Sequence, residues 1–241
     1  MPRNAEEKHR RELAKLSASP KTDCKTFVLT DLFGSAAIKQ SLGESKGVAI
    51  IRQHHAIVRA QIRKFKGREI NNSGDSFLIT FGTPSRAVTF SLSLNAHFRS
   101  LSKVPTKIRI RIGIHIGEYL VRDQRGMPNP KDIYGLQVDL CSRVVSLANP
   151  DQILMTRAVF DSAKPMLTGQ LLPGLKKLTW KSHGTYKFEG IANPFDIFEV
   201  GELGLASFRA PPDRQKAIRL NRRTRPEARK WDVHEKSSKG Y

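Results

Sequence analysis

Between Ile108 and Ile116, isoleucine occupies every second position, with Arg109 and Arg111 between the first three. A period of two cannot sort residues onto one side of a helix, so this stretch is predicted to be a strand with one buried face. Other windows carry the helical period instead. Val48, Ile51, His55, Val58, Ile62 and Phe65 recur at alternating intervals of three and four, which predicts a helix closed by Gly67. Ala87, Phe90, Leu94, Phe98 and Leu101 predict a second helix. Phe27-Val28-Leu29 reads as a short strand ending at Thr30-Asp31. Glu69-Ile70-Asn71-Asn72 and the alternating Phe77, Ile79, Phe81 flank Ser73-Gly74, the signature of a hairpin. Gly135 to Leu147 reads as helical, and short strands are expected at Ile153–Met155, Tyr186–Phe188 and Phe195–Val200. Strands and helices alternate around one hairpin. The expected class is therefore α+β, with helices packed on a mostly antiparallel sheet.

With 241 residues the chain can bury the core of one domain. The expected division is a charged extension over 1–23, a domain over 24–203 and a basic tail over 204–241. From Phe208 to Tyr241 arginine and lysine abound and apolar residues are few, so the tail reads as disordered or weakly helical. The formal net charge of +20 predicts attraction to nucleic acid, an acidic membrane surface or nucleotide phosphates. No homeodomain, zinc-finger or RNA-recognition motif accompanies the charge, so a nucleic-acid arm is not the preferred reading. Cys24 and Cys141 are the only cysteines, which implies no disulfide framework. No run of about 18 apolar residues suggests a transmembrane helix. The N-terminal MPRNAEEKHRRELAKL lacks the apolar centre of a secretory signal. A cytoplasmic location is expected.

Two carboxylates stand out. Asp31 ends the first strand and Asp75 sits at the hairpin tip. If the first strand lies beside the hairpin, both reach the same edge of the sheet, where they repel each other unless a cation joins them. Hard divalent ions such as Mg²⁺ or Mn²⁺ take oxygen ligands and often bridge substrate phosphates. Phe33-Gly34-Ser35-Ala36 would then open a helix whose free N–H groups suit a phosphate. This points to phosphoryl chemistry on a nucleotide.

FVLTDLFGS, INNSGDSFLITF, IRIRIGIHIGEY and DIYGLQVDLCSRV, in this order, resemble the class III nucleotidyl cyclases, the adenylate and guanylate cyclase catalytic domains. The resemblance covers roughly residues 24–200. It implies a ferredoxin-like βαββαβ core acting as a homodimer, with active sites at the interface. It further implies two divalent metal ions, Mn²⁺ or Mg²⁺, held by Asp31, Asp75 and the main-chain carbonyl of Leu32. Phe33, Gly34 and Ser35 fall in the segment expected to meet the phosphates. Arg143 matches a transition-state arginine supplied by the partner chain; a guanidinium suits this because its donors spread over several phosphate oxygens.

Departures from the family pattern matter as much. Asp139 stands where the family usually has a ribose-orienting asparagine. Phe188-Glu189-Gly190-Ile191 lacks a lysine that in the family often reaches the phosphates. Asn71 stands where adenylate cyclases read the base with lysine, while Asp132 matches their second base-reading residue. With the purine lysine missing, the chain looks like the stand-alone bacterial pyrimidine cyclases of Pycsar anti-phage defence, which make cyclic UMP or cyclic CMP for a separate effector protein. The expected activity is cyclisation of a pyrimidine nucleoside triphosphate, UTP ahead of CTP. Alternatives are an adenylate or guanylate cyclase, a catalytically degenerate nucleotide-sensing domain, and a basic nucleic-acid-binding protein on a cyclase-like scaffold.

Overall fold

The computed structural model describes residues 22–101, 108–120 and 135–220. Strand β1 (Thr22–Leu32) leads into helices α1 (Ser35–Leu42) and α2 (Glu44–Lys64). The hairpin of β2 (Arg68–Ser73) and β3 (Ser76–Phe81) follows, then α3 (Pro84–Ser100) and β4 (Ile110–Leu120). The remaining described elements are α4 (Leu136–Leu147), β5 (Ile153–Thr156), α5 (Arg157–Leu167), β6 (Leu178–Phe188), β7 (Phe195–Glu202) and β8 (Ala217–Arg219). The strands form one sheet in the order β2-β3-β1-β4-β5-β7-β6-β8. Among the described strands only β4 and β5 pair in parallel. The first four strands, in the order β2-β3-β1-β4 with their intervening helices, make the expected ferredoxin-like βαββαβ unit.

The isoleucine alternation explains why β4 is central. It pairs with β1 along its whole length and with β5 on its other side. Ile110, Ile112 and Ile114 are fully buried on the face covered by α2, α3 and α5, together with Val28, Phe77, Ile79, Phe90 and Leu94. Burying each such side chain is worth roughly 1.5–3 kcal/mol. Helix α4 covers the opposite face, where Phe27, Ile70, Leu78 and Cys141 meet. Gly113 and Gly117 on β4 let α4 lie close: a Cβ on Gly113 would fall 2.5 Å from the Val145 main-chain nitrogen.

Two expectations are corrected and one element is added. The buried stripe of α2 is Gly47, Ile50, His54, Val58 and Ile62, a phase shifted from the predicted one, so His54 rather than His55 enters the core. Gly47 lies against Lys39 of α1 and His54 stacks on Phe98 of α3, and these contacts set the rotation of the helix. Helix α5 falls where no element is expected from the sequence, although its buried Val159, Ala163 and Leu167 recur every four residues. Finally, residues 206–220, expected to belong to a weakly structured tail, are fastened to the sheet. Gln152 donates to the carbonyl of Arg209 (2.7 Å), Lys181 to that of Phe208 (2.7 Å) and the Tyr186 hydroxyl to that of Pro211 (3.0 Å). Ala217 is buried and β8 pairs with β6. This segment packs through main-chain carbonyls that accept from buried Gln152 and Tyr186 and from exposed Lys181, which its polar composition does not reveal. No helix among the described residues is long and apolar enough to cross a membrane.

Candidate active site

The end of β1 places Asp31 on the sheet face covered by α4, the same face as Phe27. Its neighbours come from both flanking strands. Across β4, Asp31 pairs in register with Arg111, whose Nε donates to Asp31 Oδ2 at 3.0 Å while Nη2 reaches the same oxygen. From β3, Ser76 Oγ donates to Asp31 Oδ1 at 2.9 Å. Arg111 also lies over the ring of Phe33, its guanidinium carbon 5.8 Å from the ring centre. Ser76, Asp31 and Arg111 thus form a polar row across three adjacent strands. Arg111 is the functional candidate that pattern reading missed: in the sequence it is only a polar residue of an alternating strand.

Beyond β1, Leu32 is buried and the Phe33 amide donates to the Arg109 carbonyl at 2.8 Å, so the ladder runs on to the start of α1. Gly34 takes φ +76°, a left-handed conformation that a side chain would strain, and caps α1 with no side-chain hydrogen bond. The first-turn N–H groups of Ser35, Ala36 and Ala37 are therefore open to an anion.

Asp75 sits beside Ser76 in the turn joining β2 and β3, partly exposed. Gly74 has φ +61°. The Asn72 side-chain amide donates to the Ser76 carbonyl at 3.0 Å, and His55 on α2 hydrogen-bonds the Gly74 carbonyl at 2.8 Å. Asp31, near the end of β1, and Asp75, in the turn before β3, therefore lie toward the same end of two neighbouring strands. A β-bulge lies between Glu69 and Asn71, and Asn71 pairs with Leu78. Opposed residues of an antiparallel pair share a face, so the exposed Asn71 is turned to the α4 side.

Asp139 lies exposed in the first turn of α4, and Arg143 follows one turn later, half-buried. The Arg143 Nε is buried with no hydrogen-bond partner among the described residues. No hydrogen bond joins either residue to Asp31 or Asp75 among the described residues. The start of α4 is held by an interaction that sequence reading did not foresee. Buried His115 binds Gln137 through Nε2 (2.7 Å) and Thr156 through Nδ1 (2.9 Å). Burial lowers the pKa of His115, which keeps the ring neutral. Asp132 lies outside the described residues.

No cluster of three or more His, Cys, Asp or Glu side chains comes together among the described residues. A divalent cation here would rest on two carboxylates plus main-chain and substrate oxygens. That donor set is all hard oxygen, and it suits Mg²⁺ or Mn²⁺ bound with a nucleotide. Asp31 already engages the Arg111 guanidinium, so a cation that binds it has to share or displace that ion pair.

The family model for the adenylate and guanylate cyclase catalytic domain matches residues 17–190. Receptor-type adenylate cyclase GRESAG 4.1 of Trypanosoma brucei brucei is 23% identical over 226 residues, covering 78% of this chain and 18% of that protein. The adenylate cyclase of Schizosaccharomyces pombe is 26% identical over 209 residues, covering 72% of this chain and 12% of that protein. The chain thus spans less than a fifth of the length of these curated relatives. Among solved structures, an adenylate cyclase from Trypanosoma brucei in its monomeric state superposes with a TM-score of 0.66 at 23% identity, covering 83% of this chain and 97% of that one. The adenylyl cyclase CyaB from P. aeruginosa gives 0.64 at 19% identity, covering 76% of this chain and 96% of that one.

Proposed function

Because this chain belongs to the adenylate and guanylate cyclase catalytic domain family, we propose that it converts a pyrimidine nucleoside triphosphate, UTP ahead of CTP, to the 3′,5′-cyclic nucleotide and pyrophosphate. In this reading the product is a second messenger of anti-phage defence, read by a separate effector protein. The observation that carries the substrate assignment is Asn71. It replaces a fixed cation with an amide, exposed beside the bulge and turned to the face that holds Asp31. An amide can donate and accept, as a pyrimidine edge of alternating N–H and C=O groups requires.

Asp31, Asp75 and the carbonyl of Leu32 would hold two divalent ions, which supply charge stabilisation and a more acidic 3′-hydroxyl when bound. The 3′-hydroxyl gives up its proton to water as its oxygen bonds to the α-phosphorus, the bridge to the β-phosphate breaks, and pyrophosphate leaves. Arg111 is a permanent cation beside Asp31 and can bind phosphate oxygens as it binds the carboxylate. The open N–H groups of α1 offer a second phosphate contact. Arg143 acts from the partner chain of a homodimer on the developing charge. Asp139 faces the ribose.

Incubation with the four ribonucleoside triphosphates and Mn²⁺, followed by mass identification of cyclic products, tests the reading. Cyclic UMP is expected as the main product, with a preference of about tenfold over ATP that Asn71→Lys weakens. ATP or GTP as the best substrate sinks the pyrimidine assignment. No cyclic product from any nucleotide sinks the cyclase assignment and leaves a nucleotide-sensing domain. Adenylate cyclisation is the second reading: the relatives named above are adenylate cyclases, and Asp132 could accept from the adenine amine.

A further inference from the structure

We propose that His55 is a positioning residue that sets the cation affinity of Asp75 by locking the peptide between Gly74 and Asp75. The inference rests on the metal-binding reading of Asp75 given above. Gly74 and Asp75 are the two loop residues of a hairpin closed by the Ser73–Ser76 pair. Gly74 has φ +61° and Asp75 does not have positive φ. A positive φ at the first loop residue alone is the II′ pattern, and a positive φ at both is the I′ pattern. The two differ chiefly by a flip of the central peptide, the one whose carbonyl belongs to Gly74. Asp tolerates the left-handed conformation that the flip demands, so the turn has two accessible states. The flip would re-aim the Asp75 side chain.

One interaction from outside the hairpin holds this carbonyl. His55 Nε2 lies 2.8 Å from it, and because a carbonyl only accepts, Nε2 carries the donated proton. The imidazole is itself fixed, edge-on against fully buried Phe77 at 5.1 Å and 89°. One turn further along α2, Arg59 binds Glu69 through two nitrogens, at 2.9 and 3.0 Å, and lies over the same Phe77 ring. Helix α2 thus grips the hairpin twice, near its base through Arg59 and at its tip through His55. The first grip holds the hairpin; the second selects the state of the turn.

Mn²⁺ alone, titrated into the protein and followed by the electron paramagnetic resonance of the free ion, tests this without turnover. Asp75→Ala defines the affinity without that ligand. His55→Ala is expected to bind Mn²⁺ about tenfold more weakly than the wild type. His55→Gln, whose amide can reach the same carbonyl, should recover most of the loss. In turnover, the Mn²⁺ concentration for half-maximal rate should rise in His55→Ala while the nucleotide KM at saturating Mn²⁺ stays near the wild-type value. Unchanged Mn²⁺ affinity in His55→Ala overturns the positioning role alone. A wild type that binds Mn²⁺ no better than Asp75→Ala overturns the metal reading itself, and the inference with it.

Discussion

Arg111 on β4 faces Asp31 on β1 directly across the ladder, and its guanidinium holds the carboxylate from one side while Ser76 holds it from the other. The pair is mostly buried, with side chains 25% and 18% exposed. A cation that binds Asp31 therefore meets a site where positive charge is already present.

Replacing Arg111 separates the two roles that this arrangement implies. Arg111→Ala leaves a partly buried carboxylate with only Ser76, at an expected cost of about 1–3 kcal/mol in urea unfolding. With the competing cation gone, Mn²⁺ alone should bind several-fold more tightly. Cyclisation should nevertheless fall at least tenfold, through loss of a phosphate-binding group. Weaker Mn²⁺ binding in this variant would mean that the pair organises Asp31 rather than competing for it.

Asp31→Ala and Asp75→Ala should each lower cyclisation by orders of magnitude. Asp75 lies in a turn and its loss should leave stability unchanged, whereas Asp31→Ala breaks the same pair as Arg111→Ala and should cost about 1–3 kcal/mol without unfolding the domain. If Arg143 serves the partner's site, mixing Asp31→Ala with Arg143→Ala protein should restore about a quarter of the wild-type rate. Half of the freely exchanged dimers are mixed, and each mixed dimer has one intact site of two. No recovery, with mixed dimers demonstrated, would place each site within one chain.

Removing everything after Leu205 should destabilise the domain strongly. It strips the carbonyl partners of Gln152, Lys181 and Tyr186, uncovers Gly201 and takes away the buried Ala217. Chains ending at Leu220 keep all of these contacts. The two truncations should differ in Tm by about 10 °C or more. Equal melting would show that the segment lies on the sheet without stabilising it.

His54 predicts acid sensitivity. It is fully buried against Phe98, and burial pushes its pKa from 6.5 down to about 4. The unfolded chain takes up this proton near pH 6.5 while the native chain resists it. Stability is therefore complete above about pH 6.5 and declines toward pH 4, by up to ~3 kcal/mol from this residue. His115 shifts in the same direction and adds to the slope. Urea unfolding between about pH 7 and pH 4.5 should show a shallower slope for His54→Phe than for the wild type. Parallel slopes would assign the acid sensitivity to other groups.

Local patterns were enough to establish much of this molecule. The alternation of Ile108 to Ile116, the turn chemistry of Ser73-Gly74 and the apolar spacing from Ala87 to Leu101 are properties of neighbouring residues, and each gave its element. Asp31 and Asp75 stood out for the same reason, as carboxylates at the ends of such elements. What stayed hidden depends on residues far apart in the chain. Arg111 meets Asp31 across 80 positions because β1 and β4 pair in one register and not the next. The burial of His54 instead of His55 was settled by α1 and α3 pressing on α2. Residues 206–220 look like a solvated tail until the sheet offers their carbonyls Gln152, Lys181 and Tyr186. Hydrogen bonds within a turn or helix are written in adjacent side chains. Partners brought together by folding follow from the packing of the whole, where a shift of one residue turns every side chain of a strand to the other face.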